Sequence, residues 1–185
     1  MGRFFNYFAY GSNMHPLRLG LRTPSCRVVG VASLVRYSLR FHKRAGAAGD
    51  FSGKCDAFYT GRVQDTIHGV LFRVHEPERR HLDEAEGKGS GYHGVTLRVI
   101  GDEGAVDAYS YVADEDWIDE ALLPYDWYVA LVGSGARIHG LPAGYQAKLR
   151  AVESLRDPDR GRAERYFEIA RGTRKIRPFF RRPRV

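Results

Sequence analysis

Tyr10-Gly11-Ser12-Asn13 and Glu86 are the residues of this chain best suited to chemistry. The four-residue run comes directly after an aromatic strand pattern. Glycine admits backbone torsions that turn consecutive N–H groups to one side. Consecutive N–H groups make a concave seat for a carboxylate or a phosphate. Ser12 and Asn13 add side-chain donors. Gly-Ser-Asn is also ordinary turn chemistry, so the run alone does not separate a binding loop from a plain turn. Glu86 ends a predicted helix. The C-terminal end of a helix carries partial negative charge, so the charged carboxylate is disfavoured there and proton uptake is favoured. A carboxyl group in that condition suits acid/base work at neutral pH. Asp83 shares a helical face with Glu86, and Glu84 lies off it. A solvated acidic patch beside Arg79 and Arg80 is the plainer reading of all three. Other chemistries lack a pattern. The seven histidines show no metal-ligand spacing, and neither the serines nor Cys26 and Cys55 sit in a nucleophile elbow. No metal and no cofactor are expected.

The elements that must position these residues follow from pattern. FFNYFA at 4–9 reads as a strand running into a tight loop. His15–Leu21 reads as a short helix entered through Pro16. Residues 26–41 read as one long strand, or two with a bend near Gly30. Residues 43–54, rich in Gly, Ala and Lys, read as a mobile surface loop. Strands are expected at 56–63, 67–74, 92–100 and 106–112. Pro77 opens a helix over 78–85 that stops near Gly87, and GKGSG at 87–91 reads as a flexible connection. Apolar residues Trp127, Leu131, Val132 and Ile138 repeat at helical steps, and further helices are expected over 143–153 and 160–171. Strands first and helices afterwards predict an α+β fold with a mostly antiparallel, closed sheet. No alternating βαβ pattern with a Gly-rich phosphate loop is present, which disfavours a dinucleotide fold.

The 185 residues suit one domain. No apolar run is long enough to span a bilayer, and no secretory signal is visible at the N-terminus. Two cysteines are too few for a disulfide framework and suit free thiols in a reducing cytoplasm. Of the 29 lysines and arginines, seven fall in residues 171–185, which hold no acid; residues 1–170 then carry 22 basic against 22 acidic residues. The reading is a neutral domain over 1–170 and a basic tail over 171–185. A solvated tail is the simpler expectation, and nucleic acid is the less favoured partner.

Four separated pieces resemble the γ-glutamylcyclotransferase family. FAYGSNM at 8–14 is similar to its FAYGSN loop, and LDEAEG at 82–87 to its LDxxEG segment. Ser90-Gly91-Tyr92 is similar to the SG(x)Y that follows. HGLPAGYQAKL at 139–149 is similar to NGLPxxYxxKL. Order and spacing agree over about residues 4–153. The resemblance implies a small closed β-barrel surrounded by helices, with Glu86 as the proton carrier and Tyr10–Asn13 as the holder of the substrate's α-carboxylate end. It implies Tyr92 as a substrate contact if one residue is deleted and His93 if none is, and Tyr128 as a second pocket tyrosine. The implied activity releases 5-oxoproline from a small γ-glutamyl compound without a cofactor. A second copy of the chain, as a homodimer, stays open as a partner. Two rivals stay open beside it: a cyclotransferase for γ-glutamylamines on a larger metabolite, and a silent binding module working through the tail. Retention of Glu86 counts against the second.

Overall fold

Extended, stiff side chains set the strands, and the computed structural model describes residues 2–173. The strands are β1 (Phe4–Ala9), β2 (Arg27–Val35), β3 (Tyr37–Arg44), β4 (Gly53–Tyr59), β5 (Thr66–His75), β6 (Tyr92–Gly101) and β7 (Gly104–Ala113). The helices are α1 (Pro16–Arg22), α2 (Arg79–Glu86), α3 (Asp126–Ile138), α4 (Ala143–Arg150) and α5 (Arg160–Arg171). The expected boundary at residue 170 falls in the last turn of α5, and residues 174–185 of the basic tail lie outside the described residues. Among the described residues no helix is long and apolar enough to cross a membrane.

Five strands close into a barrel in the order β1-β5-β2-β6-β7. Neighbours are antiparallel except β1 and β7, which meet in parallel at Tyr7 and Tyr109. Closure leaves these five strands without a free edge. The architecture is thus the α+β barrel expected from the order of elements. β3 and β4 form a separate two-stranded sheet. Phe8, Ile67, Val70, Phe72, Val74 and Val99 are fully buried, and α3 adds Leu131 and Val132 to the same core. Each such side chain contributes about 1.5–3 kcal/mol.

Two elements hold the site. β1 ends at Ala9, and the chain turns through a short 3-10 turn, Ser12–Met14, against α3. A Cβ at Gly135 of α3 would stand 2.7 Å from Met14 Cβ and 2.9 Å from the His15 nitrogen. The helix therefore presses on the turn. α2 ends at Glu86, with Gly87 in the left-handed region at φ 66° as its cap.

The structure corrects three local expectations. The break in 26–41 falls at Arg36 (φ 72°), and near Gly30 there is only a register shift within β2. Non-local bonds make that corner: Arg36 N–H donates to Asp65 O at 2.7 Å, and Thr60 N–H to Arg36 O at 2.9 Å. Within residues 43–54 the ends of β3 and β4 flank a loop over 45–52, and that loop is tied down. Asp50 accepts from the Ser52 amide and hydroxyl and from Lys54 Nζ, and Arg162 donates to Gly49 O. The 87–91 connection is a tight turn, with Lys88 N–H on Asp83 O and Gly89 N–H on Tyr92 O.

Candidate active site

Glu86, Tyr10, Gly11, Ser12, Asn13, Tyr92 and Tyr128 all line one cavity, together with Tyr7, Cys55, Ser110 and Tyr111. Six segments meet there: β1 with its turn, β4, the end of α2, the start of β6, β7 and α3. The cavity is narrow, with a volume of about 30 Å³, room for a water or two. A wider cleft of about 410 Å³ opens beyond it and shares Ser12, Glu86, Tyr92 and Tyr128 with it.

The cavity wall is built from tyrosines whose hydroxyls hold backbone. Tyr10 donates to Tyr111 O at 2.5 Å and Tyr92 to Cys55 O at 2.5 Å. The Cys55 N–H donates to Tyr128 Oη at 3.2 Å. Burial raises all three phenols well above their ordinary range, so they remain neutral. Burial also pushes the Cys55 thiol up to about 12, which leaves it a poor nucleophile. His93 is exposed and pairs with Asp114 at 2.7 Å, so Tyr92 lines the cavity and His93 does not.

Glu86 is held on two sides. Asn13 Nδ2 donates to its Oε1 at 2.8 Å, and Arg22 forms an ion pair with the same oxygen. Asn13 Oδ1 accepts from Arg22 at 2.8 Å, and Asn13 Nδ2 also donates to Tyr7 Oη at 2.9 Å. Glu86 is 19% exposed, enough to meet a ligand and little enough to feel its partners strongly. Arg22, absent from the sequence reading, is the charged partner that fixes the carboxylate's position.

Gly11 has φ −111° and ψ −144°, outside the positive-φ region that only glycine enters freely. Close approach explains it instead. A Cβ there would lie 3.1 Å from Cys55 Cβ and 3.5 Å from Tyr128 Oη. The amides of Ser12 and Asn13 open a helical turn and so lack an intrahelical acceptor. Asn13 already spends both ends of its amide on Glu86, Arg22 and Tyr7, so its work is to place the carboxylate. The sequence reading missed Arg22 and Tyr7. Arg18 and Arg22 stand four apart on α1, a spacing that points both to one side. That was the signal available.

A closed barrel with a strand-end turn facing a helix-end carboxylate defines a class of small barrel proteins. A model of the AIG2-like family matches residues 66–149, which include Glu86 and Tyr92 but not the Tyr10–Asn13 turn. The gamma-glutamylcyclotransferase of Mus musculus is 34% identical over 161 residues, covering 82% of this chain and 80% of that protein. That of Homo sapiens is 33% identical over 158 residues, covering 80% and 79%. A solved gamma-glutamyl cyclotransferase structure superposes with a TM-score of 0.81 at 29% identity, covering 92% of this chain and 99% of that one. The chain belongs to the γ-glutamylcyclotransferase family.

Proposed function

We propose that this protein converts a γ-glutamyl amino acid or amide into 5-oxoproline and a free amine, with Glu86 as general acid/base. The observation that carries the reading is the placement of Glu86, fixed by Arg22 and Asn13, in one cavity with the Tyr10–Asn13 turn. The substrate's α-amine attacks its own γ-carbonyl carbon. The new C–N bond closes a five-membered lactam, and the old amide C–N bond breaks. The amine enters as an ammonium ion, so the first task is proton removal. Arg22 and Asn13 fix the Glu86 carboxylate oxygen in place at the cavity. Glu86 then returns that proton to the departing nitrogen. The second proton, shed by the ring nitrogen on closure, goes to the released amine, which leaves as an ammonium ion. No redox change occurs and no water is consumed. The remaining work is to fold the substrate so that amine and carbonyl meet. Such positioning lowers a barrier by up to roughly 7–11 kcal/mol. The amides of Ser12 and Asn13 are the donors assigned to the α-carboxylate, and the neutral phenols of Tyr10, Tyr92 and Tyr128 shape the wall.

A homodimer is part of the same reading. So is a cytoplasmic setting, supported by the free thiols of Cys26 and Cys55. The deciding measurement is 5-oxoproline release from a panel of γ-glutamyl compounds. Glu86→Gln should stay folded and lose at least about a hundredfold in kcat. Near-normal turnover by that variant would remove Glu86 from the mechanism.

A further inference from the structure

The outer cleft holds more positive than negative charge. Arg18, Arg22, Lys43, Lys54 and Arg162 line it, against Asp50, Glu84 and Glu86. Most of these cations are spoken for: Arg22 pairs with Glu86, Lys54 with Asp50, and Arg162 with Asp157. Lys43 is different. It is only 3% exposed, and it makes no ion pair among the described residues. Its Nζ lies 4.4 Å from the Tyr92 ring centre and 4.9 Å from that of Trp117. Aromatic faces attract a cation, but they supply no counter-charge.

The surroundings are shaped to keep it there. β3 bridges to Ile118 at Lys43, beside Trp117. Gly91 has φ 114°, and a Cβ at that position would stand 2.6 Å from Lys43 Cε, 2.7 Å from Nζ and 2.8 Å from Trp117. Position 91 therefore needs glycine for its torsion and for the room it leaves the ammonium group. This gives the Ser90-Gly91-Tyr92 piece a physical purpose that the proton chemistry does not use. Tyr92 is the shared wall: it lines the inner cavity and also carries Lys43 against its ring on the outer side.

We propose that Lys43 is the leaving-group anchor, an ammonium ion in the outer cleft that receives a carboxylate borne by the departing amine. The proposal rests on the cyclotransferase reading above. With the γ-glutamyl part in the inner cavity, the amide substituent must pass the mouth formed by Ser12, Glu86, Tyr92 and Tyr128. It then enters the cleft where Lys43 waits without a carboxylate. An amino acid leaving group carries its carboxylate one carbon from the amide nitrogen. A simple amine carries none. Lys43 thus separates γ-glutamyl amino acids from γ-glutamylamines.

The test compares γ-glutamyl-alanine with its C-terminal carboxamide, which has the same shape and no charge. The wild-type protein should favour the acid in kcat/KM by at least about tenfold, the worth of one charge-assisted hydrogen bond. Lys43→Met should raise KM for the acid with little change in kcat, and the acid-to-amide ratio should fall by about tenfold. Lys43→Arg, which keeps the charge, should retain more of the preference than Lys43→Met. Equal use of the two substrates by the wild type overturns the proposal without any variant. So does an equal loss on both substrates in Lys43→Met. Those two results leave the cyclotransferase reading standing. A wild-type protein that releases 5-oxoproline from neither substrate, nor from a wider γ-glutamyl panel, overturns that reading and Lys43's role with it.

Discussion

Asp83 and Glu86 lie one turn apart on α2, and their partners give them different work. Asp83 Oδ1 accepts from Tyr111 at 2.7 Å and Tyr109 at 2.9 Å, and Lys88 donates to Oδ2 at 3.1 Å. Burial pushes this carboxyl upward, but the bonds from Tyr111, Lys88 and Tyr109 outweigh it and hold Asp83 below the ordinary carboxylate range. It is a brace between helix and barrel. Glu84 is exposed, so Glu86 alone of the three reaches the inner cavity. A carboxyl held low stabilises the fold only while ionised, and its contribution fades as pH falls through the carboxylate range. Asp83→Asn is therefore expected to cost about 1–3 kcal/mol at pH 7, with the gap to wild type closing below about pH 4. Denaturant melts across pH would show this, and kcat should fall much less than in Glu86→Gln. Lys43 behaves oppositely. Burial lowers it to about 8, with Glu86, Lys54, Asp114 and Asp50 as the charged groups around it and Tyr92 and Trp117 against it. The unfolded chain binds this proton more tightly between about 8 and 10.5, so the wild type gains stability as pH rises through that window. Lys43→Met should consequently be the more stable protein at pH 7, by about 1–3 kcal/mol, and its lead should vanish near pH 10. Paired melts at pH 7 and pH 10 decide the matter. A binding group that weakens the free fold is a common feature of functional sites.

At the scale of elements, the site depends on α3 meeting the turn after β1. Alanine normally stabilises a helix by about 1 kcal/mol over glycine. At Gly135 the new methyl would meet Met14 Cβ and the His15 nitrogen, which is backbone and cannot swing away. Overpacking of that kind costs about 1–3 kcal/mol. Gly135→Ala is thus expected to lower the melting temperature and to raise KM by shifting the Ser12–Met14 turn. A variant that is both more stable and fully active would show that the turn tolerates displacement. The elements themselves were largely legible: β1, α1, α2 with its Gly87 cap, β6, β7 and α3 all fall close to their predicted ranges. The failures share a cause. The Arg36 corner, the tied 45–52 segment and the tight 87–91 turn are all set by partners distant in sequence or by backbone bonds that leave no compositional mark.

At the scale of the whole molecule, residues 1–170 are formally neutral and the excess charge belongs to residues 171–185. The inner cavity is built from residues 7–128. Removal of residues 174–185 is accordingly expected to leave kcat/KM within about twofold, because the removed charges are remote in sequence from every cavity residue. A larger loss would tie the tail to the site. The same truncation, followed by salt titration with RNA, would expose any electrostatic role of its own. The sequence by itself determined the class of fold, the family, and the loop and the helix-end carboxylate, because strand and helix periods and contiguous motifs are local properties. Only the tertiary structure decided that Asn13 and Arg22 hold Glu86, that Tyr92 rather than His93 faces the cavity, and that Lys43 lies buried without an ion pair among the described residues. Those facts depend on which side chains a closed barrel brings together across tens of residues, and no local pattern records that meeting.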